Sequence, residues 1–127
     1  MTLFDECKEA LRTDFSVVEG EYEKIAINIL KSYPFVNGAV RWDDIKYSDY
    51  ENADRLLEMN FMPGESVFVL ADDIGISIFK TNLKIVLENI YDVTALSPKI
   101  FVFSKVFILQ PLFPSEAIRL GLRRGIM

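Results

Sequence analysis

The segment from Val67 to Phe79 constrains the fold more than any other. Val67 to Ala71 is an unbroken apolar run, Asp72-Asp73 interrupts it, and Ile74, Ile76 and Ile78 then alternate with Gly75, Ser77 and Phe79. A short continuous apolar run fits a strand covered on both faces, and the alternation beyond the break fits a second strand returning beside it. Two antiparallel strands joined by a tight acidic turn are expected. Strands that pair with their sequence neighbours argue against a parallel βαβ sheet.

Helical periodicity surrounds this block. Leu3, Phe4, Cys7 and Leu11 form one stripe, and Tyr22, Ile25, Ala26, Ile29, Leu30 and Tyr33 form a second, ended by Pro34. Ala39 to Tyr47 has no clean apolar face and reads as an edge strand or an ordered loop. Ser48 and Glu51 have capping-box spacing, which predicts a helix of about three turns burying Ala53, Leu56 and Leu57, before a turn at Pro63-Gly64. Thr81 is expected to cap a helix carrying Leu83, Val86, Leu87, Ile90 and Tyr91. Ile100 to Phe103 and Val106 to Leu109 read as one long strand or two around Ser104-Lys105, and Pro114 as the opening of a last short helix with a basic end. The expected fold class is α+β: residues 1–127 as a single domain, an antiparallel sheet of about four to five strands with about four to five helices packed around it.

Composition then narrows the chemistry. Half of the 127 residues are apolar, enough for one core without disulfides or a structural metal. With no histidine and one cysteine, the usual neutral-pH base, CxxC redox pairs and thiolate zinc sites are all excluded. No Gly-x-Ser-x-Gly elbow or phosphate-cradling glycine loop is present. Cys7 falls on a helix stripe and reads as a small core residue. Neither enzymatic activity nor a cofactor is expected. The apolar stretch Ile100 to Phe113 is broken by Ser104, Lys105, Gln110 and Pro111 and falls short of the ~20 residues a membrane span needs. The acidic start and lone cysteine fit the cytoplasm.

Charge is unevenly distributed. Between Arg41 and Asp73 nine acids face three bases, whereas residues 98–127 carry five bases and only Glu116. An acidic field of this kind repels phosphate backbones and attracts a basic protein, so no direct nucleic-acid partner is expected. Within it, Trp42, Tyr47 and Tyr50 are interleaved with Asp43, Asp44, Asp49, Glu51 and Asp54, and Asp72 and Asp73 follow in the expected turn. Aromatics among acids supply anchor area and steering for a basic partner. These ten residues are the candidate binding site. The competing reading puts Trp42 in the core and the acids in water. A carboxylate metal site is disfavoured, because adjacent acids on a strand point to opposite faces and Asp-Asp-Ile-Gly lacks the oxygen spacing of a calcium loop.

Three segments carry a resemblance: Leu3-Phe4-Asp5-Glu6-Cys7-Lys8-Glu9-Ala10-Leu11, the Phe68-Val-Leu-Ala-Asp-Asp-Ile-Gly-Ile-Ser-Ile-Phe79 hairpin, and the apolar stretch Lys99 to Phe113. Together they resemble CdiI-type immunity proteins of bacterial contact-dependent growth inhibition. The resemblance implies binding and neutralisation of the C-terminal toxin domain of a cognate CdiA effector in the cytoplasm of the cell being protected; many such toxins are nucleases, which present basic residues to phosphate, and several cut tRNA. It offers no catalytic residues, and immunity proteins differ in whether they cover the toxin's active site. The ten residues above rest on charge and aromatic patterning alone. The alternatives are an adaptor or homo-oligomerisation module burying Ile100 to Leu109 or a helix face, and a metal-dependent enzyme built on the acids from Asp43 to Asp54.

Overall fold

The structure, a computed structural model, describes residues 2–123. Helix α1 (Leu3–Ala10) opens on a reciprocal cap: the Asp5 N–H donates to Thr2 Oγ1, and the Thr2 N–H donates to Asp5 Oδ2, both at 3.1 Å. A 3-10 turn at Arg12–Asp14 and strand β1 (Ser16–Val17) lead into α2 (Glu21–Lys31). Next come a ribbon of β2 (Phe35–Val36) and β3 (Ala39–Val40), a 3-10 turn at Trp42–Asp44, β4 (Lys46–Tyr50) and α3 (Ala53–Glu58). The remainder is β5 (Ser66–Ala71), β6 (Phe79–Asn82), α4 (Leu83–Glu88), α5 (Ile90–Thr94), β7 (Ile100–Phe103), β8 (Phe107–Pro111) and β9 (Ile118–Leu122).

Seven strands form one sheet in the order β1-β6-β5-β7-β8-β9-β4, every neighbour antiparallel. The mixed helix-and-sheet class and local antiparallel pairing are as expected, but the sheet exceeds the anticipated four to five strands. The extra strands are β1 at one margin and, at the other, β9 with the edge strand β4 that pairs with it. Strand β1 is two residues long, and β4 exposes four of its five side chains, so neither presents an apolar pattern.

Five local expectations are corrected. The segment after Pro114 is strand β9, not a helix: Ile118, Leu120 and Leu122 alternate with Arg119 and Gly121 at the strand period. Ser48 lies within β4, and α3 is capped by Asn52, whose side chain accepts from the Arg55 N–H at 3.2 Å; α3 runs six residues. Thr81 is a buried residue of β6, and Asn82 caps α4 instead, accepting from the Ile85 N–H at 3.0 Å. Asn89 then splits the long expected helix into α4 and α5. The return strand of the β5–β6 hairpin begins at Phe79, and Ile74 to Ile78 form the connecting loop, with Ile74 fully exposed.

Alternation sorts the sheet into two apolar faces. Val67, Val69 and Ala71 of β5, Ile100 and Val102 of β7, Phe107 and Leu109 of β8, and Ile118 and Leu120 of β9 face one core together with residues of α1, α3, α4 and α5. Phe68, Leu70, Phe101, Phe103 and Ile108 face a second core with Ala26 and Leu30 of α2, Val40 of the ribbon, and Ile45. Covering both faces explains why β7 is apolar at every position and β5 is apolar from Val67 to Ala71. Tyr33, just beyond α2, ties this second layer down by donating its hydroxyl to the Ser104 carbonyl at 2.6 Å. The Ile100 to Leu109 stretch that an oligomerisation module would offer is interior, apart from the β7–β8 turn at Lys105 and Val106.

Candidate functional site

Strand β4 lies at the sheet edge, pairing only with β9 among the described strands. Its register sets Asp49 opposite Arg119 and Tyr47 opposite Gly121. The period-two geometry puts Tyr47, Asp49, Arg119 and Gly121 on the sheet face that carries the second core. Gly121 leaves room for an indole: a β-carbon there would lie 2.9 Å from Trp42 Cζ3 and 3.0 Å from Ile45 Cδ1. Trp42 is half-buried in this niche, between the two opposed readings made from sequence, and packs on the second core.

Around it stands an ordered cation–aromatic–carboxylate cluster. Arg119 grips Asp49 with both nitrogens of its fork, Nε to Oδ1 at 2.7 Å and Nη2 to Oδ2 at 2.9 Å. The guanidinium carbon lies 4.5 Å from the Tyr47 ring centroid and 5.6 Å from that of Trp42, and the two rings meet edge to face at 5.6 Å. The hydrogen bonds from Arg119 hold the Asp49 carboxyl below the usual carboxylate range, and those same bonds raise the Arg119 guanidinium. Because the Asp49 side chain is 45% exposed, solvent screening limits the pair to about 1 kcal/mol or less.

The other candidate residues are dispersed. Asp43 and Asp44 lie in the 3-10 turn, both exposed, with Asp44 3.4 Å from Arg41. Tyr50 faces the opposite side of β4 and packs against the first core, while Glu51 is exposed in the bend after it and Asp54 in the first turn of α3. Asp72 and Asp73 are exposed at the end of β5, where Asp73 Oδ1 accepts from the Gly75 N–H at 2.8 Å, the local turn chemistry expected of Asp. Val69, Val102, Leu109, Leu120 and Ser48 align in one row across the sheet. Residues following β5 and β4 therefore leave at the same end of the sheet, four strand spacings or roughly 19 Å apart. The structure thus joins Trp42, Tyr47 and Asp49, and separates them from Tyr50 and Asp54 and from Asp72-Asp73.

Sequence reasoning missed the residues around Asp54. A groove of about 370 Å³ opens between the start of α3, the α4–α5 segment and the β8–β9 turn, and Glu88, Tyr91, Phe113 and Glu116 line it with Asp54. Tyr91 falls on the apolar stripe of the expected helix yet is 71% exposed, because the break at Asn89 turns α5 away. Phe113 beside Pro114 and Ser115 is an aromatic in turn chemistry, a sequence signal for exposure.

Among the described residues no three His, Cys, Asp or Glu side chains converge as a metal set, and no helix is long and apolar enough to cross a membrane. Burial, with a smaller contribution from Asp92, pushes the Cys7 thiol up to about 11, which leaves it protonated and inert near neutral pH.

No curated protein matches the chain. A family model described as CdiI immunity protein, EcoliA0-like, matches residues 1–121, spanning both faces of the sheet and every element above except the end of β9. The chain therefore belongs to the CdiI immunity proteins, the family that confers immunity to contact-dependent inhibition toxins.

Proposed function

We propose that this protein binds the C-terminal toxin domain of its cognate CdiA effector in the cytoplasm and neutralises it, and that the toxin is a nuclease, in particular a tRNase. The observation that carries the reading is the placement of acidic charge. Asp43, Asp44, Glu51, Asp54, Asp72 and Asp73 are all exposed, and of these only Asp44 has an ion-pair partner among the described residues. A nuclease must present basic residues to phosphate, so carboxylates held in water by short turns are the complementary surface. Exposed acids of this sort do little for folding and much for the encounter rate.

The test is association kinetics with the purified, catalytically inactivated toxin domain across a salt series. Asp43, Asp72 and Asp73 are changed together to Asn, which keeps the acceptor that Asp73 offers Gly75. Slower association with a flatter salt dependence supports the reading. Wild-type association that ignores salt, or an unchanged rate in the triple variant at low salt, removes electrostatic steering by these acids from it.

A further inference from the structure

Two constellations on this molecule share one chemistry. At the sheet edge, the rings of Trp42 and Tyr47 and the carboxylate of Asp49 hold an arginine, and that arginine is the chain's own Arg119. A groove beyond the C-terminal end of β4, on the face of the sheet that carries the first core, repeats the parts. Asp54, Glu88 and Glu116 bring three carboxylates to its lining, Tyr91 and Phe113 bring two rings, and no Lys or Arg among the described residues lines it. The Tyr91 hydroxyl donates to Glu116, which with the nearby charge of Asp54 raises the phenol and keeps it a donor. Leu87 supplies part of the apolar lining. Tyr91 and Phe113 are 71% and 65% exposed, and of the large hydrophobic side chains among the described residues only Tyr22 and Ile74 are as open as either. Two such rings on one groove are an anchor surface rather than scattered exposure.

We propose that this groove is the arginine-receiving subsite for the toxin, taking a guanidinium from a basic loop of the toxin domain, a step that rests on the immunity reading above. Arginine is favoured over lysine because its planar fork stacks on aromatic rings while pairing with carboxylates, as Arg119 does within this chain. The sheet-edge cluster is satisfied internally, so the groove, and not Trp42, Tyr47 and Asp49, makes the anchoring contact. The acids at Asp43, Asp72 and Asp73 steer from a distance.

The experiment is equilibrium binding of the inactivated toxin domain to wild type, Phe113→Ala, the double variant Glu88→Gln/Glu116→Gln, and Trp42→Phe as a comparison. Thermal unfolding and gel filtration of each protein are run alongside. The groove variants alter exposed side chains and are expected to melt close to wild type. Each should weaken toxin binding by about tenfold or more through faster dissociation, with Trp42→Phe near wild type. Groove variants that bind as wild type, while wild type binds tightly, overturn the groove and leave immunity standing. A wild-type protein that does not bind the toxin overturns both. Wild type that is dimeric and becomes monomeric on Phe113→Ala assigns the groove to a second copy of this chain and refutes the toxin subsite.

Discussion

Replacing Gly121 with alanine tests the packing that organises the sheet edge. The new methyl would sit 2.9 Å from Trp42 Cζ3, 3.0 Å from Ile45 Cδ1 and 3.4 Å from Ile108 Cγ2, where carbon contacts are most favourable at roughly 3.5–4.0 Å. Ile45 can swing its terminal methyl aside. The indole cannot move so freely, because Tyr47 and Arg119 flank it. Overpacking of this kind costs about 1–3 kcal/mol, offset by roughly 0.5–1 kcal/mol for removing a glycine from a strand. The net loss is then up to about 2.5 kcal/mol. For 127 residues unfolding with roughly 2.1 cal/mol/K each, it lowers Tm by up to about 9 °C. The chain has a single tryptophan, so intrinsic fluorescence reports the displaced ring directly during the same melt. In a Trp42→Phe background the closest contact is gone, and Gly121→Ala should become nearly neutral. A raised Tm with unchanged emission, or an equal penalty in both backgrounds, refutes the reasoning.

Three further outcomes follow from buried or paired groups. Thr81 Oγ1 is buried without a hydrogen-bond partner, so Thr81→Val should leave stability unchanged or raise it by about 1 kcal/mol in urea unfolding; a comparable loss would contradict this. Tyr33→Phe strips the buried Ser104 carbonyl of its 2.6 Å donor and should cost about 1–2 kcal/mol by the same assay, whereas a neutral result would mean water replaces the hydroxyl. Asp49 has its carboxyl lowered by Arg119, so its contribution is complete above the 3.8 of a free aspartate and disappears as pH falls through the folded value. Wild type should therefore exceed Asp49→Asn by up to about 1 kcal/mol at pH 7 and converge with it in acid; a gap that widens in acid contradicts the pairing.

The sequence was readable wherever one residue type had one physical use. The Val67–Ala71 run, the strands at Ile100–Phe103 and Phe107–Leu109 and the Cys7–Leu11 stripe are interior because nothing else stabilises so much apolar surface. Legibility failed at the sheet margins. In β9 the alternation of Ile118, Leu120 and Leu122 was masked by Pro114 and a basic end, both equally at home in a helix. In β4 the partner, not the strand, supplies the apolar contact, so its own residues show no face. Asn37-Gly38, both at positive φ between Phe35-Val36 and Ala39-Val40, carries a legible hairpin signal, and the reading of Ala39 to Tyr47 as edge or loop passed over it. The candidate site divided for a topological reason. Asp72-Asp73 and Asp54 leave the same end of the sheet, yet strands β7, β8 and β9 stand between β5 and β4, an order fixed by long-range pairing that no local pattern encodes.

The central claim is immunity, and growth tests it most directly. The cognate CdiA C-terminal toxin domain is placed under inducible control in cells that do or do not express this protein, with growth and intact tRNA followed after induction. The account predicts that the protein restores growth and spares the tRNA, and that a one-to-one complex is recovered from the rescued cells. Growth that stops equally in both strains, with the protein folded and abundant, would contradict it.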